Sequence, residues 1–535
     1  MGIKTVIIKN FKKLRDVELS FGDKTIIVGD NEEGKSTILE AIHLAFTGRF
    51  RGRPLRGQIS ESLFNKDAVR EYIESLSSAE KKDLPKVSVE VYLENVDPEL
   101  KGNNNSRGDD SEGFCFEISL PNENRGYYQE LIKNGELNSL PVELYTYKWT
   151  TFARHSFYSS AKFLKLKTVI INGDNFCGSR TSVIRYLDDV LEDKDKNSVL
   201  GEMRAVQQHF LGSPTIKDLN DRIKTAGRLG SIEIGGRDFV ADDWDTFVTP
   251  KEGEVPLEFF GDGHQRMIKT LLALIDAAKK STIILIEEPE CHLSFSKLCE
   301  LLNTIDDSAG GNQVIITTHS SFVSNRLNLT NLLLFKNGKS LCFNDLDPST
   351  AAFFKKRANY DTLRLILAGK TFLVEGDSDD LVLQKAFFDK NGSYPFESGI
   401  DVITCGLAYG RFLEIAKKLD AKIAVITDND GKPDALDKKF EAYSSFSNIG
   451  GFYSKHVSKE DYGEKFNANT LEPEMLRANS LSLLNKVLGQ EFADEKALIQ
   501  YMESNKTETA MKIYDYVGKD LKYPDYIQNA IEFMK

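Results

Sequence analysis

A short apolar run that stops abruptly at a charged or glycine-rich tail recurs along this chain. The run at 26–28 enters "GDNEEGKST", and the run at 283–286 enters "EEPECHL". "QVIITTHSS" ends in His319, "FLVEGDSDD" runs into four acids, and "KIAVITDND" ends in Asp428 and Asp430. Apolar runs this short, without alternation, read as parallel strands buried on both faces. After the first, Ile38, Leu39, Ile42 and Phe46 fall at helical spacing, which predicts a strand, a loop and a helix in sequence. The chain is therefore read as α/β, with its polar tails at strand ends, where open α/β sheets place their sites. "KVSVEVYLENV" and "FCFEISL" alternate instead and predict a β-hairpin, with the polar stretch between them read as a long, mobile tip. From about 176 to 245 the pattern turns helical, and Val183, Ile184, Leu187, Val190 and Leu191 form an apolar stripe.

Composition narrows the class. At 535 residues the chain is too long for one core, and 41% hydrophobic with 28% charged residues is ordinary globular usage. The net charge of −12 excludes a generally basic nucleic-acid coat but leaves room for local basic grooves. One candidate is "GRFRGRPLRG", with Arg49, Arg51, Arg53 and Arg56; a solvated loop is an equal reading. The six cysteines are scattered without zinc spacing, which suits reduced thiols in a cytosol. No apolar run reaches the ~20 residues of a membrane span, and neither a signal peptide nor a lipid anchor is expected.

The first site is a phosphate cradle. Gly29-x-x-x-x-Gly34-Lys35-Ser36 lies between a buried strand and a helix, the context a P-loop requires. Its backbone N–H groups and the helix N-terminus suit phosphates; Lys35 is expected to reach the β- and γ-phosphates and Ser36 to ligate Mg²⁺. Gly29, Asn31, Gly34, Lys35, Ser36 and Thr37 are the expected nucleotide contacts. Glu287 and Glu288 end a second strand in Walker-B fashion: the first holds Mg²⁺, the second polarises the attacking water. The first acid is usually Asp, so Glu287 is a departure. His319, ending a third strand, is placed to sense the γ-phosphate. Before the Walker-B strand, Gly261, Asp262 and Gly263 let backbone approach a phosphate, with a helix expected from Gln265.

The second site is acidic. Glu375 and Asp379 stand four apart and share one face if a helix starts at once; Asp428 and Asp430 leave the next strand two apart. Like charges so close need a compensating ion, and hard carboxylate oxygens suit Mg²⁺ or Mn²⁺.

The order of P-loop, Gly-Asp-Gly loop, "EEPExHL", "TTHS", "VEGxSD" and "DxD" resembles the overcoming-lysogenisation-defect (OLD) family: an ATP-binding-cassette head of the SMC, Rad50 and RecF kind joined to a Toprim nuclease. Its members include phage-borne nucleases, the nuclease subunit of Gabija systems and retron-linked effectors. The resemblance implies ATP and a divalent cation as cofactors, and DNA as substrate. It implies a homodimer or tetramer through the heads, whose signature loop completes a second protomer's site, and through a helical insert. It also brings in bacterial anti-phage defence as the setting, with a helicase-like or retron partner. It adds Glu472 from "TLEPEML" as a further metal acid and Lys506 from "NKTETAMKI" as a lysine near the scissile phosphate. Asp380, Glu474 and Lys512 are near competitors of Asp379, Glu472 and Lys506. The expected division is 1–175 and 249–365 for the ATPase, 176–248 for the helical insert and 366–535 for the Toprim domain. An SMC-like repair ATPase that binds DNA without cutting, a topoisomerase or primase, and a nuclease acting on RNA are the rivals.

Overall fold

In the computed structural model the chain is described over residues 2–51, 53–78, 82–94, 97–133, 138–159, 164, 166–171, 191–225, 233–236, 248–278, 282–308, 311–327, 331–336, 338–356, 364, 368–458 and 466–535. Three of the short apolar runs become adjacent parallel strands. The central sheet has the order Lys167–Ile171, Thr282–Glu287, Val314–Thr318, Lys24–Val28, Leu332–Lys336, Lys339–Cys342. Its first five strands are parallel and the last is antiparallel. The chain order of these strands is scrambled, so segments before and after residues 191–225 form one sheet.

The helix Lys35–Thr47 leaves this sheet and packs beneath a second, antiparallel one. That sheet runs Ser156–Phe157, Thr146–Thr151, Ser111–Ser119, Val87–Glu94, Gly2–Phe11, Leu14–Ser20. Ile38, Leu39 and Ile42 of the helix share one core with Val89, Val91, Phe114 and Phe116 of the antiparallel sheet. Trp149 closes that core and donates its indole N–H to Ala45 O at 2.6 Å.

The predicted hairpin is present, with Val87 opposite Ile118 and Tyr92 opposite Gly113. Its tip departs from expectation, because local bonds tie it down. Lys101–Gly102 pairs with the strand Ser111–Ser119, Ser106 Oγ donates to Glu90 at 2.6 Å, and the Arg107 guanidinium lies over Tyr92 at 4.8 Å. A polar composition permits a solvated loop, but here the polar side chains bond one another. In the region of the expected insert, two helices are described, Asp193–Leu211 and Pro214–Thr225, with Val206 and Phe210 exposed. Of the predicted stripe only Leu191 is described; Val183, Ile184, Leu187 and Val190 lie outside the described residues.

The other two acidic tails belong to a third sheet, all parallel, in the order Ile400–Thr404, Lys370–Val374, Lys422–Ile426, Ile449–Phe452. Five helices from Leu471–Ala478 to Asp525–Phe533 cover one face of it. The other face meets the ATPase portion. Leu346 and Phe354 share a core cluster with Phe412, Leu413 and Ile415, and Phe354 meets Phe412 edge-on at 5.2 Å. Glu414 accepts from Asp347 N at 2.7 Å, so this join is both apolar and polar.

Candidate nucleotide and carboxylate sites

The P-loop, the Walker-B tail and His319 leave neighbouring parallel strands at the same end of the central sheet. Gly34, at φ 104°, takes a conformation that a side chain would strain, and it opens the helix Lys35–Thr47. The Lys35 side chain is buried and curls into its own loop, donating to Gly29 O at 2.8 Å and Asp30 O at 2.6 Å. Burial lowers its pKa, against the pull of Glu288, Asp30, Glu290 and Glu33. Glu287 ends its strand opposite Thr317, and Glu288 follows at φ 42° with its N–H on Thr317 O. Ser36 and Thr37 lie in the first turn of the helix, partly exposed, and Asn31 lies exposed in the loop.

Glu290 was not foreseen, although it stands two residues after Glu288. Its Oε1 accepts from Thr318 Oγ1 at 2.6 Å and from His319 N at 3.2 Å. The His319 ring places Nδ1 between Glu288 at 3.4 Å and Glu290 at 3.5 Å. Glu290 Oε2, Thr317 Oγ1 and His319 Nδ1 are buried without a hydrogen-bond partner. Buried polar atoms of this kind are normally satisfied. A triphosphate with its cation and attacking water is a fitting complement to them.

The Gly261–Gly263 loop differs in one detail from expectation. Its helix spans Asp262–Ala278, three residues earlier than Gln265, because Gln265 turns back and donates to Phe260 O at 2.7 Å. Gly263 thus sits inside the first turn. A Cβ there would lie 2.1 Å from His292 O, so this glycine allows the loop to touch the segment that follows Walker B.

The carboxylates assemble at the C-terminal ends of the strands Lys370–Val374 and Lys422–Ile426. Glu375 lies in the turn before the helix Asp377–Asn391, so it does not share a helix face with Asp379 as the spacing suggested. They meet another way: Asp379 Oδ2 bends back to accept from Gly376 N at 3.0 Å. Glu375 Oε2 accepts from Thr427 Oγ1 and from Asp428 N, both at 3.1 Å, which ties the two strand ends together. Glu472 is buried on the helix Leu471–Ala478, bonded to Thr470 Oγ1 at 3.0 Å and paired with Lys506 at 3.3 Å.

The electrostatics show how these groups bear on one another. Burial, then Glu375 and Glu472, pushes Asp379 up to about 7. Burial, then Asp379, Glu375 and Glu472, pushes Asp428 up to about 9, with Lys506 only partly opposing. Burial also raises Glu503, a further acid that sequence reading passed over; it accepts from Thr470 Oγ1 at 3.2 Å. The sequence competitors go elsewhere. Asp380 bonds Gln384, Glu474 pairs with Arg477, and Lys512 pairs with Glu508. Asp430 is exposed and bonds Asn467 Nδ2 at 2.7 Å, outside the mutual contacts of the other four acids. Among the described residues no three acidic, histidine or cysteine side chains stand together as a ready-made metal site. The donor set still suits a hard divalent ion: carboxylate oxygens, partly or wholly buried, whose like charges Lys506 offsets only in part.

Comparison with known proteins gives matches along most of the chain. Residues 5–208 match the family described as "AAA domain", and 148–325 match "AAA domain, putative AbiEii toxin, Type IV TA system". Residues 366–430 match "Overcoming lysogenization defect protein-like, TOPRIM domain". The chain thus carries AAA-domain segments followed by an OLD-like Toprim segment. Endonuclease GajA of Bacillus cereus (strain VD045) is 21% identical over 460 residues, covering 81% of this chain and 75% of that protein. Among solved structures, the SMC head domain from Thermotoga maritima is 14% identical, covers 64% of this chain and 97% of its own, and superposes with a TM-score of 0.29. The C-terminal region of the Burkholderia pseudomallei OLD protein is 19% identical over 31% of this chain and 96% of its own, with a TM-score of 0.24. Superpositions this loose carry no argument. No described helix is long and apolar enough to cross a membrane.

Proposed function

We propose that the protein is an ATP-binding, cation-dependent endonuclease that cuts DNA in its Toprim domain under control of its ATPase head, as part of bacterial defence against phage. The observation that carries this reading is the cluster of Glu375, Asp379, Asp428 and Glu472 with Lys506, built from two strand ends and three helices. The relative named an endonuclease supports it, as do the AAA and OLD-like Toprim matches.

These four acids would hold Mg²⁺ or Mn²⁺. Such an ion, when bound, supplies a water acidified toward neutral pH and offsets charge on the phosphodiester. Thr427 and the Asp428 N–H orient Glu375, so one carboxylate oxygen is fixed before the substrate arrives. Lys506 holds Glu472 and brings a cation beside the cluster, where negative charge develops on a phosphoryl oxygen. In the head, Lys35, Ser36 and Glu287 would hold the triphosphate and its Mg²⁺. Glu288 orients water, and His319, steadied by Glu290, faces the same space. A second protomer would supply Gly261–Gly263 across a dimer of heads, with the insert helices adding contacts. A helicase-like or retron-linked partner belongs to the same reading.

The test is incubation of supercoiled plasmid with Mg²⁺ or Mn²⁺, with and without ATP. Nicking or linearisation by the wild type but not by Glu375→Ala supports the reading. ATP hydrolysis with no cleavage in any condition would sink it in favour of a DNA-binding ATPase, and cleavage confined to an RNA substrate would move it to RNA.

A further inference from the structure

Beside the carboxylate cluster lies a separate cavity of about 350 Å³ that the proposed chemistry does not use. It is lined by Asp380 and Gln384 from the helix Asp377–Asn391, by Asp401 and Thr404 from the edge strand, and by Arg364 and Phe396. Its volume is at the lower end of the ~300–1,000 Å³ typical of ligand pockets, which suits one small ring system.

One lining residue, Phe396, belongs to an aromatic stack. Phe388 stacks on Tyr394 at 4.7 Å and 30°, and Tyr394 lies nearly parallel to Phe396 at 5.9 Å and 9°. Tyr394 also stacks with Tyr514 at 5.9 Å. This ladder of near-parallel rings ends in Phe396, which is 69% exposed. A phenyl ring left in water at the end of a stack offers a face to one more flat ring. The rest of the lining is polar. Gln384 Nε2 donates to Asp380 Oδ1 at 2.7 Å, and Arg364 is set in place by Asp401 and by Val402 O. An amide and a carboxylate held in register are groups that read the edges of bases.

Position points the same way. Asp380 directly follows Asp379 of the cluster, and Thr404 pairs with Val374, the residue before Glu375. The strand that lines the cavity is therefore the direct neighbour of the strand that ends at Glu375.

We propose that the cavity receives one unpaired nucleobase, stacked on Phe396 and met at its edge by Asp380 and Gln384, so that the protein engages its substrate in a locally single-stranded form. This rests on the nuclease reading and adds a substrate preference to it.

The experiment uses the full-length protein without divalent cation and compares short single-stranded DNA and RNA probes with a blunt DNA duplex of matching sequence. Each single strand carries one 2-aminopurine, whose fluorescence falls on stacking. Plasmid cleavage with Mg²⁺ is measured in parallel. The wild type is expected to bind a single strand and quench the probe. Phe396→Ala should weaken single-strand binding about tenfold and lose the quench, while Phe396→Trp retains both. Duplex binding should stay unchanged. Phe396→Ala binding single strands as tightly as the wild type, or weakening duplex equally, overturns the proposal. If the wild type still cleaves plasmid in that case, the nuclease reading survives and only the base site falls. Because Phe396 is exposed, its loss leaves the core intact, and an unchanged melting temperature verifies that.

Discussion

The two sites are built on the same plan and stand in opposite electrostatic conditions. Each lies at the C-terminal ends of parallel strands, and each gathers acids there. In the head, a buried lysine is already present: Lys35 sits among Glu288, Asp30, Glu290 and Glu33, and its ammonium is bonded to two loop carbonyls. In the Toprim domain, Lys506 reaches Glu472, while Asp379 and Asp428 face other carboxylates and resist ionisation. One site is preorganised by its own backbone. The other crowds acids together, so on the proposed reading a bound cation should matter far more to its local stability.

The largest effect expected of that contrast is on chemistry. Glu375→Ala should lower DNA cleavage by at least ~10³-fold and leave ATP hydrolysis within about twofold, measured on one preparation. Lys35→Ala should do the converse to ATP turnover, since it removes the cation of the cradle. Parallel loss of both activities in either variant would break the division between the sites.

A smaller effect separates stability from activity. Asp428→Asn removes a crowded acid, so the metal-free protein should gain roughly 1–3 kcal/mol, seen as a higher melting temperature, while cleavage is lost. Mg²⁺ should raise the melting temperature of the wild type more than that of the variant. A destabilised Asp428→Asn protein would show that the acids are not in conflict.

Within the head, Glu290→Gln should reduce kcat for ATP hydrolysis about 10- to 100-fold with a smaller change in KM, because it loosens His319 and Thr318 while the two carbonyl bonds of Lys35 stay in place. A pure KM effect would place Glu290 in binding instead.

The smallest effect concerns pH. His43 hydrogen-bonds Thr168 at 3.1 Å, and burial, then Arg49, holds its pKa down at about 4. The unfolded chain therefore binds this proton more readily. Stability is present above pH ~6.5 and is lost as pH falls toward 4, by at most roughly 3 kcal/mol. His43→Gln should flatten that part of a denaturation profile recorded from pH 7 to 4.

The nucleotide site was the more legible of the two. A P-loop is contiguous, so strand, glycine turn and helix can be read in one stretch, and Lys35 could fall nowhere else. The carboxylate site was legible only in outline. Glu375 and Asp428 end apolar strands and announce themselves. The choice between Asp379 and Asp380 depends on which side of one helical turn faces the cluster, and the spacing argument gave the wrong reason for the right neighbour. Glu290 and Glu503 were missed because a glutamate in a polar stretch has no local mark. The hairpin tip was misjudged because composition does not reveal that its polar groups satisfy one another.

By itself the sequence determined the strands, the phosphate cradle and the acids that end the strands, because these follow from local periodicity and from residue chemistry over a few positions. The tertiary structure decided which acids face one another, which lysine joins them and which exposed ring borders the base-sized cavity. Those outcomes depend on how helices as far along the chain as Lys506–Asp515 pack across the sheet. Packing also strips water from Asp379 and Asp428, and that desolvation turns a run of ordinary acids into a site.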